Sequence, residues 1–314
     1  VINLTSAQQP AQYSLYNFNK FNFNPAYAGL DNSLSLTGVY RSQWVGLPGK
    51  PVTQNINAHL PLYIFSGGVG FEFENETLGN WQQSKAMLAY NFQMPVGKTG
   101  ILSWGLSGGI LQRTLDGTRI ITPEGDYPSD PNPNDPIDHM DLILPFAKES
   151  ASALAFNFGA FYQGEKLEVG LSAMNLTEQA VELTNTFYKP ERTYFLYAGY
   201  NFDISRNLTV NPSTLVKSNA VQTQIDFSVI IKYNDNIFLG ASFRGYDSDN
   251  TDALILIGGM KLSEKISLAY SYDLSLSNLN TVNNGSHEIL LSYNLGKPIG
   301  KGKPPKVIYN PRFL

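Results

Sequence analysis

Hydrophobic and polar positions alternate with a period of two along most of the chain. Near its start Leu34, Leu36, Gly38 and Tyr40 fall on one side while Ser35, Thr37, Val39 and Arg41 fall on the other, the spacing that a strand imposes. Further on, Leu102, Trp104, Leu106 and Ile110 oppose Ser103, Gly105, Ser107 and Gly109, and Leu154, Phe156, Phe158 and Tyr162 oppose Ala155, Asn157, Gly159 and Gln163. Ile225, Phe227, Val229 and Ile231 oppose Gln224, Asp226, Ser228 and Lys232, with Ile230 out of phase. The last two segments set Ile266, Leu268, Tyr270 and Tyr272 against Ser267, Ala269, Ser271 and Asp273, then Ile289, Leu291 and Tyr293 against Glu288, Ser292 and Asn294. From Ser33 onward about fourteen such segments follow one another, each near the roughly nine to eleven residues that cross a bilayer at a tilt.

Alternation also suits a soluble sandwich, whose oily faces meet each other. The joins separate the two. Every second join is short: Pro61 to Phe65, Pro95 to Thr99, Gly164-Glu165, Asp203 to Arg206, Asn234-Asp235 and Ser263-Glu264. Several of the others are long, notably 115–149, 177–191 and 274–284. Short turns on one rim and long loops on the other predict an all-β, transmembrane, antiparallel up-and-down β-barrel of the outer-membrane kind, with both termini on the short-turn, periplasmic side. Tyr90, Phe92, Tyr197, Tyr200, Phe202, Tyr233, Tyr246, Tyr270, Tyr272 and Tyr293 lie mainly toward segment ends, as in interfacial aromatic girdles. The chain then divides into a lead-in (1–32), a barrel (33–295) with a long loop (115–149), and a basic, proline-rich tail (296–314).

The inward positions Ser103, Gly105, Ser107, Gly109, Gly159, Gly170, Ser172, Gly240 and Ser242 are small, so the wall leaves room in the lumen. The lead-in offers Tyr13, Tyr16, Phe18, Phe21, Phe23 and Tyr27, rings that each forgo about 1.5 to 3 kcal/mol if left in water. The segment is therefore expected to tuck into the barrel or against its base, as a plug. Arg41, Lys217, Asp226, Arg244, Asp273 and Glu288 are expected to face the lumen, where such charges pair with one another or with the lead-in, or line an ion path.

Composition narrows the function. Tyr and Phe number 18 each, against 22 Lys plus Arg and a net charge of −4, which favours strands and gives no basic field for nucleic acid. The absence of cysteine removes thiolate catalysis, thiolate metal sites and disulfides. No apolar run reaches the length of a helical membrane span. Thr5-Ser6-Ala7 before Gln8 is similar to the end of a secretory signal, and equally reads as a plain terminus. His59, His139 and His287 stand far apart without metal-ligand spacing. Ser286 and His287 project to opposite faces of a strand and make no nucleophile–base pair. No catalytic set is expected, and no cofactor, although calcium has oxygen donors in the aspartates of the long loop and in Asp247, Asp249 and Asp252.

Taken in order, NPAYAG at 24–29, YRSQWVG at 40–46, AHLP at 58–61, GVG at 68–70, NPS at 211–213, YSYD at 270–273, GSHEI at 285–289 and NPRF at 310–313 resemble the PorP/SprF family of outer-membrane proteins of the type IX secretion system. The resemblance implies a non-enzymatic barrel in the outer membrane of a Gram-negative bacterium, associated with gliding and surface-protein export. Its implied partners are a secreted surface protein or adhesin with a type B C-terminal sorting domain, other secretion components and outer-membrane lipid. The family motif falls on Asn24, Pro25, Tyr27, Gly29, Arg41 and Trp44, and the tail residues Asn310, Pro311, Arg312 and Phe313 are a candidate partner-binding element. ETLGNW at 76–81 and the long Asp/Pro loop depart from the family pattern. The alternative from the small-residue wall is a diffusion channel or small-solute transporter.

Overall fold

The computed structural model describes residues 10–123, 125, 140–141, 144–184, 186–219, 221–245 and 251–299. Fourteen antiparallel strands form the wall. The first seven are β1 (Ser35–Ser42), β2 (Val52–Leu62), β3 (Gly67–Leu78), β4 (Trp81–Val96), β5 (Gly100–Asp116), β6 (Lys148–Gln163) and β7 (Leu167–Met174). The second seven are β8 (Thr193–Tyr200, continued by Phe202–Ser205), β9 (Leu208–Ser218), β10 (Thr223–Tyr233), β11 (Ile237–Gly245), β12 (Thr251–Lys261), β13 (Ile266–Ser275) and β14 (Ser286–Asn294). Each pairs with its sequence neighbours, and β1 closes the barrel on β14 from Ser35↔Asn294 to Ser42↔His287. Closure pairs each of these strands with a neighbour on both sides, the condition for a sheet to stand in lipid.

The period of two sorts each strand into two faces. Leu88, Leu106, Leu171, Leu239 and Leu291 are more than half exposed on the outside, while Ser103, Asn157, Ser228 and Glu288 are buried on the inside. An outer surface of Leu, Ile and Phe around a polar interior is the inverse of a soluble protein.

The strands outrun their sequence-predicted limits at two places. Leu115 and Asp116 pair with Glu149 and Lys148, so the ends of the expected 115–149 loop belong to the sheet. Within the 175–192 join, Val181–Glu182 and Phe187–Tyr188 form a small hairpin. Val181 packs on Met87, Leu111, Ala153 and Ala155, which carries the hairpin inward over the wall. Among the supposed girdle aromatics, Tyr197 is fully buried, packed in the lumen core with Tyr16, Phe23 and Phe161. Its parity, shared with Phe195 and Gly199, places it inside, and its position near a strand end had suggested the membrane interface. Tyr246, Asp247, Asp249, His139, most of the proline-rich loop, residues 1–9 and the tail motif at 310–313 lie outside the described residues.

Candidate functional site: the plugged lumen

Residues 10–32 run through the lumen as a strap of three short 3-10 turns, Tyr16–Phe18, Lys20–Asn22 and Pro25–Tyr27. The strap enters at the long-loop rim, where the Gln12 side chain donates to Gln224 and accepts from Gln43. It leaves at the short-turn rim, where Ser33 bonds to Asn294. Pro10 and the end of β14 therefore stand at opposite rims. Both ends of the chain, whose shared short-turn side was the expectation, lie outside the described residues; within them the strap crosses the barrel before the wall begins.

The upper strap is held by charge. Arg41 and Arg244 share the same carboxylate oxygen of Asp273, at 2.8 and 3.0 Å. Arg41 also meets Glu288 at 3.0 Å and Arg244 meets Asp226 at 2.6 Å, and all five side chains are buried. Ser14 sits in their midst. Its N–H donates to Glu288 at 2.7 Å, its hydroxyl donates to Asp273 at 2.7 Å, and the hydroxyl accepts from both arginines. On the facing wall the Tyr13 hydroxyl donates to Glu74 at 2.5 Å, and Lys85 stands 3.4 Å from both Glu72 and Glu74. Lower down, Lys20 pairs with Glu168 at 2.6 Å. Lys217 also faces inward, but among the described residues no carboxylate lies within 4.0 Å of its ammonium. The expected calcium donor Asp252 lies 4.0 Å from Arg244 at the edge of the same network.

The lower strap is held by shape and backbone. Asn24 caps its turn by accepting from the Ala26 N–H at 3.0 Å, with Pro25 at the first helical position, a placement that suits a residue without a donor. The Asn24 amide also donates to the carbonyls of Ala160 and Leu171 in the wall, at 3.0 and 3.1 Å. Asn91 donates to the carbonyls of Ala26 and Ala28, both at 2.6 Å, and the Ser103 hydroxyl donates to Ala26 at 2.7 Å. Gly29, at φ +73°, donates its N–H to Nδ1 of His59, a conformation that disfavours any side chain. Two glycines of the wall give the strap its seat. A Cβ at Gly105 would stand 2.4 Å from the Ala26 nitrogen, and one at Gly159 would stand 2.1 Å from the Asn24 side-chain oxygen Oδ1.

Aromatic packing fills the rest. Tyr27 meets Phe161 edge-on at 5.0 Å, Phe23 approaches Phe195 and Tyr197, and Phe18 lies 4.6 Å from Phe238. Ile230, the residue out of phase in β10, is explained here, since it packs inward with Leu15, Ile255 and Leu290. The family-motif residues Asn24, Pro25, Tyr27 and Gly29 thus lie together in the lower lumen, and Arg41 lies in the upper network. Trp44 stands apart on the long-loop rim, its backbone N–H donating to the Ser286 hydroxyl. Sequence reasoning passed over Asn91, Glu72, Glu74, Lys85 and Glu168, and weighed His59 only as a metal ligand and as part of a motif. The signal available for them was a polar side chain on the inward parity of a strand.

The model of the type IX secretion system membrane protein PorP/SprF family matches residues 5–293. The chain belongs to this family. No curated protein matches it. Among solved structures it is similar to the CymD monoaromatic hydrocarbon channel, at 12% identity and TM-score 0.52, with 91% of this chain and 94% of that chain covered. It is also similar to the outer membrane protein Omp33 of Acinetobacter baumannii, at 6% identity and TM-score 0.46, with 84% and 98% covered. At such identities the CymD likeness speaks for the fold alone: family and fold together make this an outer-membrane β-barrel of the secretion system.

Proposed function

We propose that this barrel is a non-enzymatic accessory of type IX secretion that docks, helps export or anchors a secreted surface protein bearing a type B C-terminal sorting domain. The observation that carries the reading is the lumen itself. Residues 10–32 occupy it from rim to rim, tied to the wall by buried ion pairs and backbone hydrogen bonds. A wall built to hold a strap has its surfaces, rims and loops left for a partner. The short-turn rim is periplasmic and the long-loop rim faces outward in this reading, as in barrels of this kind. Other secretion components and outer-membrane lipid are the remaining partners. A diffusion channel requires a continuous lumen, which the strap interrupts.

The test is purification of a tagged copy from the native host in mild detergent, followed by mass spectrometry. A stoichiometric surface protein with a C-terminal sorting domain is the expected companion. Recovery of the barrel alone, together with steady conductance of the intact protein in planar bilayers, would replace docking with the channel reading.

A further inference from the structure

We propose that the vestibule above the strap, at the long-loop rim, is a binding site for an organic carboxylate that carries an apolar group. A cavity of 230 Å³ at the rim adjoins one of 80 Å³ beneath it, and the two share Pro10, Gln12, Gln83, Tyr188 and Lys217 in their walls. The mouth is marked by Trp44 and Trp81, and the inner end rests on Tyr16, Phe23, Phe195 and Leu215. Between them the walls are polar, with the acids Glu74, Glu76, Glu191 and Asp226 and the cations Lys85 and Arg113 beside Lys217, and an apolar floor with placed polar groups is the general form of a small-ligand site.

Lys217 decides the chemistry. Its side chain is 6% exposed and lines both cavities. Among the described residues its ammonium has one hydrogen bond, a 3.4 Å contact with the Pro10 carbonyl, and no carboxylate within 4.0 Å. Four other inward cations differ: Lys20, Lys85, Arg41 and Arg244 each have a carboxylate within 3.4 Å. The neighbouring acids are already engaged. Asp226 accepts from Arg244 on one oxygen and from Gln224 on the other, and Glu74 is held by Lys85 and Tyr13. Glu76 accepts from the Thr53 hydroxyl at 3.3 Å. A desolvated ammonium with no carboxylate in direct contact is costly, and a single compact positive charge matches a single carboxylate. Such an anion on Lys217 would place its apolar part against the Tyr16, Phe23, Phe195 and Leu215 floor. The carboxyl terminus of a polypeptide and a free small acid share this chemistry. The inference stands independently of the docking reading.

The experiment titrates the full-length protein in detergent with N-acetylphenylalanine and with its amide, then with the peptide Gly-Ser-Gly-Ser-Phe as free acid and as amide. Heat of binding and tryptophan fluorescence are read together, since Trp44 and Trp81 line the mouth. The free acids are expected to bind at least tenfold more tightly than the amides. Lys217→Met is expected to erase that difference and Lys217→Arg to keep it, with Leu215→Trp weakening acid and amide alike by filling the floor. Tighter binding of the peptide acid than of the small acid assigns the site to a chain terminus, and the reverse order assigns it to a metabolite. Equal binding of acid and amide by the unaltered protein, or no binding of either, overturns the proposal without reliance on any variant. So does a Lys217→Met protein that melts normally and still prefers the acid.

Discussion

Asp273 is the residue on which the upper lumen turns. One of its oxygens serves Arg41, Arg244 and the Ser14 hydroxyl at once, so Asp273→Asn leaves two buried guanidinium groups short of a counter-charge. Breaking a buried pair on one side costs about 3 to 5 kcal/mol. The temperature at which the folded band converts to the unfolded one on an SDS gel should fall accordingly. An unchanged transition would mean that water or neighbouring acids take over the role. At this scale the sequence was informative up to a point. The parity of Arg41, Asp226, Arg244, Asp273 and Glu288 gave their direction, because side chains on a strand have two directions to choose from. Which of them meet was not legible, since Arg41 reaches Asp273 and Glu288 only once β1 closes on β14, and Arg244 reaches Asp273 across the intervening β12.

Among elements, the strap and its glycine seat are coupled through space. Valine at Gly159 would require a Cβ within 2.1 Å of Asn24, so Gly159→Val should dislodge the lower strap while the wall survives. Increased protease cleavage within residues 10–32 is the expected readout. Gly38→Ala, where a Cβ meets nothing within 4 Å, is the control and should leave the strap protected. The outer face has its own test. Leu291→Arg puts a charge on the lipid side and should cost about 2 to 4 kcal/mol near the midplane, as measured by urea unfolding in lipid or detergent. Its neighbour Ser292 faces the lumen, where a wall of small residues would leave room for arginine. Ser292 is instead buried beside a cavity of only 60 Å³ that is also lined by Lys20 and Lys232. Ser292→Arg should therefore destabilise too, by crowding and like charge rather than by exposure to lipid.

For the whole molecule, the strap joins two walls that would otherwise touch only around the circumference. Tyr13 reaches Glu74 on β3 while the next residue, Ser14, bonds to β13 and β14 across the lumen. Deleting residues 1–29 should open a conducting path in planar bilayers and lower the melting temperature. Both effects are expected together, because the same contacts close the pore and brace the wall. A deletion that melts normally and stays silent would show that the wall collapses on itself and has no need of the strap.

By itself the sequence determined the strands, their parity, the order of short and long joins, and the need of six aromatic rings for cover. All of these are local properties, fixed by the two-residue period and by turn chemistry. The tertiary structure alone decided the direction in which the strap threads the barrel, the inward placement of Tyr197, and the seat that Gly105 and Gly159 leave for Asn24 to Ala26. It also decided the partnership of Arg41 with Asp273 and the isolation of Lys217 from any carboxylate within reach among the described residues. These depend on distances across a closed sheet between residues as far apart as Ser14 and Glu288, and no spacing along the chain encodes them.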